Sequence, residues 1–590
     1  MLAALLLVAV LGTTAGCAPK TKGAPTAAEE GPEERTLVIA DAVVAETFAQ
    51  YPERATMLRI PGSRYDALPD DSAAGVATRH AREDRLLADL RAIDPSDLPA
   101  GSPAALAHAL AASHLEDATA ARVCRPELWE VSQMLNGWQL RFGNLAQLQP
   151  VGTDDLRRQA LARFAALPAY AEAHTANLRE GLRLGHRAPE VSVRLVIGQL
   201  DALTAMPPEE SPFASPGARD GDPQFREQFV ALVQERIHPA LRRYRDYLHD
   251  EYLPQARSSV GVAANPDGAA CYRASARLAS TLDRDPAEIH RIGWERLRAI
   301  EAQMQALSEK SFGGAPVPDL LRRFRSDPRY RYRDADHIRS VAKAALDRAQ
   351  AKLPRAFGLL PSSPAVLEPI PAYQERTAAP HYLMAALDGS HPAAYRMRLY
   401  QPTEQSWVIG ESTAFHEIVP GHHLQIDIAS HRSELPAIAR FVTNSGYSEG
   451  WALYAEEVAD ELGLYGSDAD RFGWLSNQSW RAVRMIVDTG LHTQGWDRQR
   501  AIDLLLAHTA LSPDQAAAEV DRYIAWPGQA PSYMLGYLEI TDLRNEAESA
   551  LGERFDLRTF HDHVLADGNL PLPVLRERIA AWLATERTGG

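Results

Sequence analysis

Apolar residues recur every three or four positions along most of this chain, the period of a helix that buries one face. Over 83–93, 103–116, 154–182 and 223–252 the pattern is interrupted only by Pro-rich turns, so the first half reads as a succession of helices. Asn265-Pro266-Asp267-Gly268 is a turn signal. A helix start follows at 285–288, where Asp285 can cap, Pro286 suits the first position and Glu288 falls three residues after the cap, and a long amphipathic helix is expected beyond it. The helical period returns at 474–489, 498–509, 513–524 and 532–551. Between Pro354 and Pro380 it is lost, and the stretches HYLMAAL and AAYRMRLY around the loop DGSHP read as two short strands. Such a strand either lies beside a cleft, where it could pair with an extended peptide, or supports the core. CRPELWEVSQMLNGWQL, residues 124–140, sets two tryptophans among apolar positions, as core or as cleft wall. The expected fold is mostly α: a large helical body with a small β element and a deep central cleft.

Composition adds limits. With 45% hydrophobic and 24% charged residues the chain has ample material for a core, and residues 36–590 are read as one helical domain of one or two lobes. The net charge of −15 argues against a nucleic-acid partner, which would require a basic face. Residues 1–17, MLAALLLVAVLGTTAGC, form an apolar run ending in small residues and Cys17. This has the form of a lipoprotein signal peptide in which cleavage before the Cys frees it for lipid attachment, and the apolar run is too short to span a bilayer. Residues 18–35 then serve as a flexible tether, and the protein faces the periplasm or exterior of the cell envelope. Two further cysteines, Cys124 and Cys271, could form one disulfide in that compartment or stay as buried thiols.

The chemistry is concentrated in residues 411–457, which bring together His416, Glu417, His422, His423 and Glu449. A helix that presents His-Glu and then a second His on one face can hold Zn²⁺ through imidazole nitrogens while the Glu takes a proton from water. The second His usually falls at i+4; here that position is Pro420, and the histidines follow at i+6 and i+7. On a straight helix turning about 100° per residue, His422 would point about 120° away from His416, and His423 would lie about 10 Å further along. Pro420 lacks an N–H and Gly421 relaxes the backbone, so a kink or a bulge of two residues is expected to swing His422 back beside His416. Glu449, 27 residues after His422 in a stretch with helical spacing, is the candidate third ligand.

The strings HEIVPGHHLQ, YSEGWALYAEE, VDTGLH at 487–492 and RYIAWPGQAPSYMLGYLEI at 522–540 resemble a large bacterial family of secreted or lipid-anchored proteins, catalogued mainly as a domain of unknown function. It is similar to distant zinc peptidases whose third ligand is Glu. The resemblance implies a zinc-dependent hydrolase of peptide or related amide bonds with His416, His422 and Glu449 as ligands and Glu417 as general base; a peptide-binding lipoprotein of the same fold without turnover is the alternative. Arg484, Asp488 and His492 fall at four-residue steps on one helical face, either as an exposed ion-pair ladder or with His492 in the active site. Tyr533 and Tyr537, also one turn apart, are core residues or donors toward an oxyanion, Tyr533 being the catalytic candidate.

Overall fold

The computed structural model of the protein describes residues 31–588, apart from 135, 372–374 and 376–378. The expected signal peptide, Cys17 and most of the tether therefore lie outside the described residues. The last residues read as tether are already structured: Pro32 opens the helix Pro32–Gln50, with Glu33 and Glu34 in its first turn and Ile39, Val43 and Val44 on its buried face.

The helical period is realised throughout. The stretch 83–93 is the second half of Ala73–Arg91, and 103–116 lies within Pro103–Ala121. The stretch 154–182 divides into Asp154–Ala165 and Leu167–Leu184, with Pro168 in the first turn of the second helix, where its missing N–H costs nothing. From Pro223 to Tyr252 the chain stays helical, with π-helical turns at Val233–Ile237 and Tyr247–Tyr252. Asp285 caps Pro286–Ser311 by accepting from the Ala287 N–H at 2.8 Å. That helix lies against Asp468–Thr493 so closely that a Cβ on Gly293 would come within 2.8 Å of Ile486.

The small sheet has three strands in the order β1-β3-β2. β2 (His381–Leu383) pairs antiparallel with β3 (Ala393–Met397), Tyr382 opposite Tyr395, as the sequence suggests. β1 (Ala365–Pro369) joins β3 in parallel on its other side and was not legible in the Pro-rich stretch that holds it. Buried apolar residues divide into one large core, a second formed within residues 131–252 and a small third around Trp129, Val262 and Tyr272. Trp129 and Trp138 are 6% and 3% exposed, which makes them core rather than cleft wall. A disulfide joins Cys124 to Cys271, where the helix Gly268–Ser280 packs against Pro103–Ala121.

His492 and His561 belong to this core. The Nδ1 of His492 accepts from the Val262 N–H at 3.0 Å and its Nε2 donates to the Tyr523 carbonyl at 3.0 Å; His561 donates from Nδ1 to the Ala356 carbonyl and accepts at Nε2 from the Tyr454 hydroxyl, both at 2.8 Å. Burial pushes both imidazoles down to about 3. Unfolded histidines titrate near 6.5, so both groups support the native state fully above that value and withdraw their support as pH falls through it towards 3. Each contributes a slope of up to about 1.4 kcal/mol per pH unit. Carboxylates that burial raises to about 7, Asp488, Glu130 and Asp470, act in the opposite direction over the same range, so the histidine contribution is read by difference. Between pH 7 and pH 5 the change in Tm should be more favourable in His561→Gln than in the wild type, and equal changes would contradict this.

Candidate metal centre

The helix Gly410–Glu417 stops at Ile418 and a second helix, His422–His431, starts four residues later. Pro420, preceded by a cis peptide bond, has no N–H to give to the carbonyl of His416. The backbone instead makes two bonds that reach six residues back, Gly421 N–H to Phe415 O at 3.0 Å and Leu424 N–H to Ile418 O at 3.3 Å. Two residues are thus inserted into the helical turn, and His422 takes the angular place of an i+4 histidine. Gly421 is required there, since a Cβ would lie 1.9 Å from the His416 carbonyl oxygen. The Pro420 carbonyl, released by the break, accepts from Trp451 Nε1 at 3.0 Å.

Trp451 comes from the helix Ser445–Glu461, capped by Asn444, whose side chain accepts from the Tyr447 N–H at 2.8 Å. The same helix carries Glu449 to the two histidines. Glu449 Oε2 lies 3.4 Å from His416 Nε2 and 3.3 Å from His422 Nε2, and the three atoms lie within 4.8 Å of one another. The imidazoles meet edge to face with centroids 4.8 Å apart. Glu449 Oε2 is buried without a hydrogen-bond partner. An oxygen in that state needs either a proton donor or a cation. Two ligands at zinc bond lengths with a tetrahedral angle stand about 3.3 Å apart, which the two separations from Glu449 match. Two imidazoles and a carboxylate are also the donor set of zinc sites that keep a fourth position open. The residues present fit the ion.

Behind His416 stands a layer that the sequence reading missed. Its Nδ1 bonds Glu456 Oε1 at 2.8 Å; Glu456 Oε2 accepts from Ser412 Oγ at 2.6 Å, and Ser412 in turn accepts from Asn477 Nδ2 at 3.0 Å. A carboxylate on Nδ1 fixes the tautomer that turns the Nε2 lone pair to the cluster. Glu456 lies seven residues after Glu449, two helical turns, and that spacing was the signal that could have found it. Burial resists charging of His416, but the Glu449 and Glu456 carboxylates outweigh it and hold the imidazole up to about 9. Burial likewise resists ionisation of Glu449, which His422 and His416 nevertheless keep well below the usual carboxylate range. Glu417, 8% exposed, is pushed up by burial and by Glu449, against the pull of His416 and His422.

His423 faces elsewhere. Its Nδ1 accepts from the Tyr382 hydroxyl at 3.1 Å and its Nε2 donates to the Ser363 carbonyl at 2.9 Å, so it ties the helix to β2 and to the segment before β1. The Tyr382 ring lies across His422 with centroids 6.5 Å apart, which sets β2 beside the cluster. Tyr533, in the helix Ser532–Leu551, lies parallel to His416 at 6.5 Å, and its hydroxyl accepts from Arg522 Nη2 at 3.1 Å. Tyr537 instead donates to Glu457 Oε2 at 2.7 Å. The two helices cross on glycines, a Cβ on Gly536 falling 1.8 Å from the Gly446 carbonyl oxygen. Arg484, Asp488 and His492 are 2%, 0% and 0% exposed, so the surface ladder is not formed. His492 is not brought to the cluster as a catalytic residue, because both its ring nitrogens are committed to backbone groups. Asp488 accepts from the Tyr272 hydroxyl at 2.7 Å and the Gly528 N–H at 3.0 Å, and burial raises it to about 7.

The fold is a mostly helical body, and the chain belongs to the bacterial family of proteins of unknown function DUF885, whose model matches residues 52–579. Among solved structures, a "putative lipoprotein" from Colwellia psychrerythraea is similar with a TM-score of 0.87 and 25% identity, over 94% of this chain and 100% of that one. A "putative lipoprotein of unknown function" from Shewanella oneidensis has the same fold, with a TM-score of 0.70 and 17% identity over 93% and 99% of the two chains. No curated protein matches.

The geometry predicts how metal content divides between neighbouring histidines. After reconstitution with Zn²⁺, His422→Ala should lose the ion and His423→Ala should keep it, while Glu456→Ala should weaken binding by about 10- to 100-fold. Metal analysis of the purified variants checks this, and retention by His422→Ala with loss by His423→Ala would contradict it.

Proposed function

We propose that the protein is a zinc-dependent hydrolase of peptide or related amide bonds, held in the cell envelope by a lipid on Cys17. The observation that carries this reading is the convergence of His416 Nε2, His422 Nε2 and Glu449 Oε2 next to a carboxylate, Glu417, that is not itself part of the ligand triad. Zn²⁺ bound to that triad would supply Lewis acidity toward a carbonyl and bring water into the neutral pH range. His416 and His422 serve as neutral imidazoles, each with its other nitrogen next to a group of the protein: Glu456 at 2.8 Å and Ser448 Oγ at 3.4 Å. Glu417 takes up a proton from water at its carboxylate and returns it to the leaving nitrogen. The Tyr533 hydroxyl accepts from Arg522, which leaves its own proton to give to an oxygen that gains charge. The substrate backbone is extended along β2, an edge strand of the sheet that pairs with β3 and places Tyr382 against His422.

A protein that only bound peptides would have little use for a general base, so Glu417 favours hydrolysis over the binding-only alternative. The envelope location is supported by the names of both structural neighbours and by the Cys17 motif. No helix among the described residues is long and apolar enough to cross a membrane.

Glu417→Gln should retain stoichiometric Zn²⁺ and lose hydrolysis of a mixed peptide library by at least about 100-fold, because the amide fills the same space and cannot act as a base. Wild-type turnover should vanish with chelator and return with Zn²⁺. Equal turnover by the variant would refute the assigned role. For anchoring, Cys17→Ser should abolish lipid labelling and release the protein into the soluble fraction; unchanged membrane partition would show that Cys17 is not the attachment point.

A further inference from the structure

Three arginines, Arg481, Arg484 and Arg522, gather about Trp480 and Tyr533 beside the metal cluster, and one carboxylate, Glu519, is bonded to two of them. Arg484 lies 4.3 Å above the Tyr533 ring and 4.3 Å from the Trp480 ring, which Arg481 also covers at 4.5 Å. Arg484 thus lies against both the Tyr533 and the Trp480 rings, and Arg481 covers Trp480 and returns to within 3.7 Å of Glu456 behind His416. Arg522 joins them through the Tyr533 hydroxyl. Against these three guanidinium groups stands one dedicated carboxylate: Glu519 accepts from Arg484 Nη2 at 3.0 Å and from Arg522 Nη1 at 3.3 Å. The carboxylate nearest to Arg481 is Glu456, 3.7 Å away and already engaged by His416 and Ser412.

Hydrogen-bond accounts show the same shortage. Arg481 Nε and Arg484 Nη1 are buried without a partner, although a buried cationic N–H left unmatched is among the costlier defects a fold can carry. Arg522 is the most open of the three, its side chain 14% exposed against 7% and 3% for Arg481 and Arg484. Its Nη atoms reach Glu519, Gln529 and Tyr533, and its Nε donates to none of the described residues. An uncommitted guanidinium N–H donates a charge-assisted hydrogen bond to a carboxylate.

Resting on the hydrolase reading for the position of the scissile bond, we propose that this arginine wall selects substrates bearing a carboxylate, with Arg522 as the contact and Arg484 and Arg481 as supporting charges. The carboxylate is the free C-terminus of a peptide or an acidic side chain close to the cleaved bond. Recognition through the same tyrosine that faces His416 would set such a substrate in register with the metal cluster.

Binding can be separated from turnover by using Zn²⁺-loaded Glu417→Gln protein, immobilised and presented with a mixed-sequence hexapeptide library made as free acids and as C-terminal amides. Mass spectrometry of the retained peptides should show about ten-fold or greater enrichment of one carboxylate class: free acids over amides if the C-terminus is read, or Asp and Glu in both pools if a side chain is read. Arg522→Gln introduced into the same protein should abolish that enrichment, and Arg522→Lys should restore part of it, with Tm reported for each variant. Retention indifferent to both kinds of carboxylate would overturn the inference, and that result uses no Arg522 variant. Wild-type cleavage of the library reports separately on hydrolysis, so a protein that cleaves without preference and one that selects without cleaving are told apart.

Discussion

The exchange of ordinary helical hydrogen bonds for two that reach six residues back, between Phe415 and Leu424, sets the geometry on which the rest of the site depends. On an unbroken helix His416 and His422 point about 120° apart; with two residues inserted, their rings stand 4.8 Å apart. Pro420 withholds an N–H, Gly421 admits a backbone approach that no side chain would allow, and Trp451 takes up the carbonyl that the break releases. Trp451 sits two residues from Glu449 on the same helix, so the group that holds the break also fixes the helix that brings the third ligand.

Around this break the protein stores charge in layers. Glu449 lies between two imidazoles, Glu456 lies behind His416 with Arg481 next to it, and Arg484 and Arg522 lie against Tyr533. A buried carboxylate without a donor and buried guanidinium nitrogens without acceptors are destabilising unless something completes them. On the proposed reading a divalent cation would complete the first set and a substrate carboxylate the second, and the Tyr533 ring touches both. The close helix crossing at Gly446, Gly450 and Gly536 keeps that ring against His416.

Much of this was legible in the sequence because the signals were local. Helical periods, the Asp285 cap and the Pro420-Gly421 break each depend on residues within a few positions of one another, and so does the placement of the His422 ring beside His416. Where long-range packing decides, the sequence was silent or misleading. β1 exists only through its parallel pairing with β3, across a Pro-rich stretch with no alternation of its own. The four-residue spacing of Arg484, Asp488 and His492 shows a shared face but not what covers it, and the cover proved to be Tyr272, Val262 and Tyr523 rather than solvent or substrate. Tyr533 and Tyr537 are neighbours on one helix, yet one meets His416 and the other Glu457. The pairing of Cys124 with Cys271 follows from two helices that pack across 147 residues of sequence.

The account stands on one point in space where three ligand atoms converge. Crystals grown with Zn²⁺ and measured at the zinc absorption edge would show whether an ion occupies it. The account predicts a single anomalous peak at about 2.0–2.2 Å from His416 Nε2, His422 Nε2 and Glu449 Oε2. A peak bound by His423, or none within reach of Glu449, would contradict it.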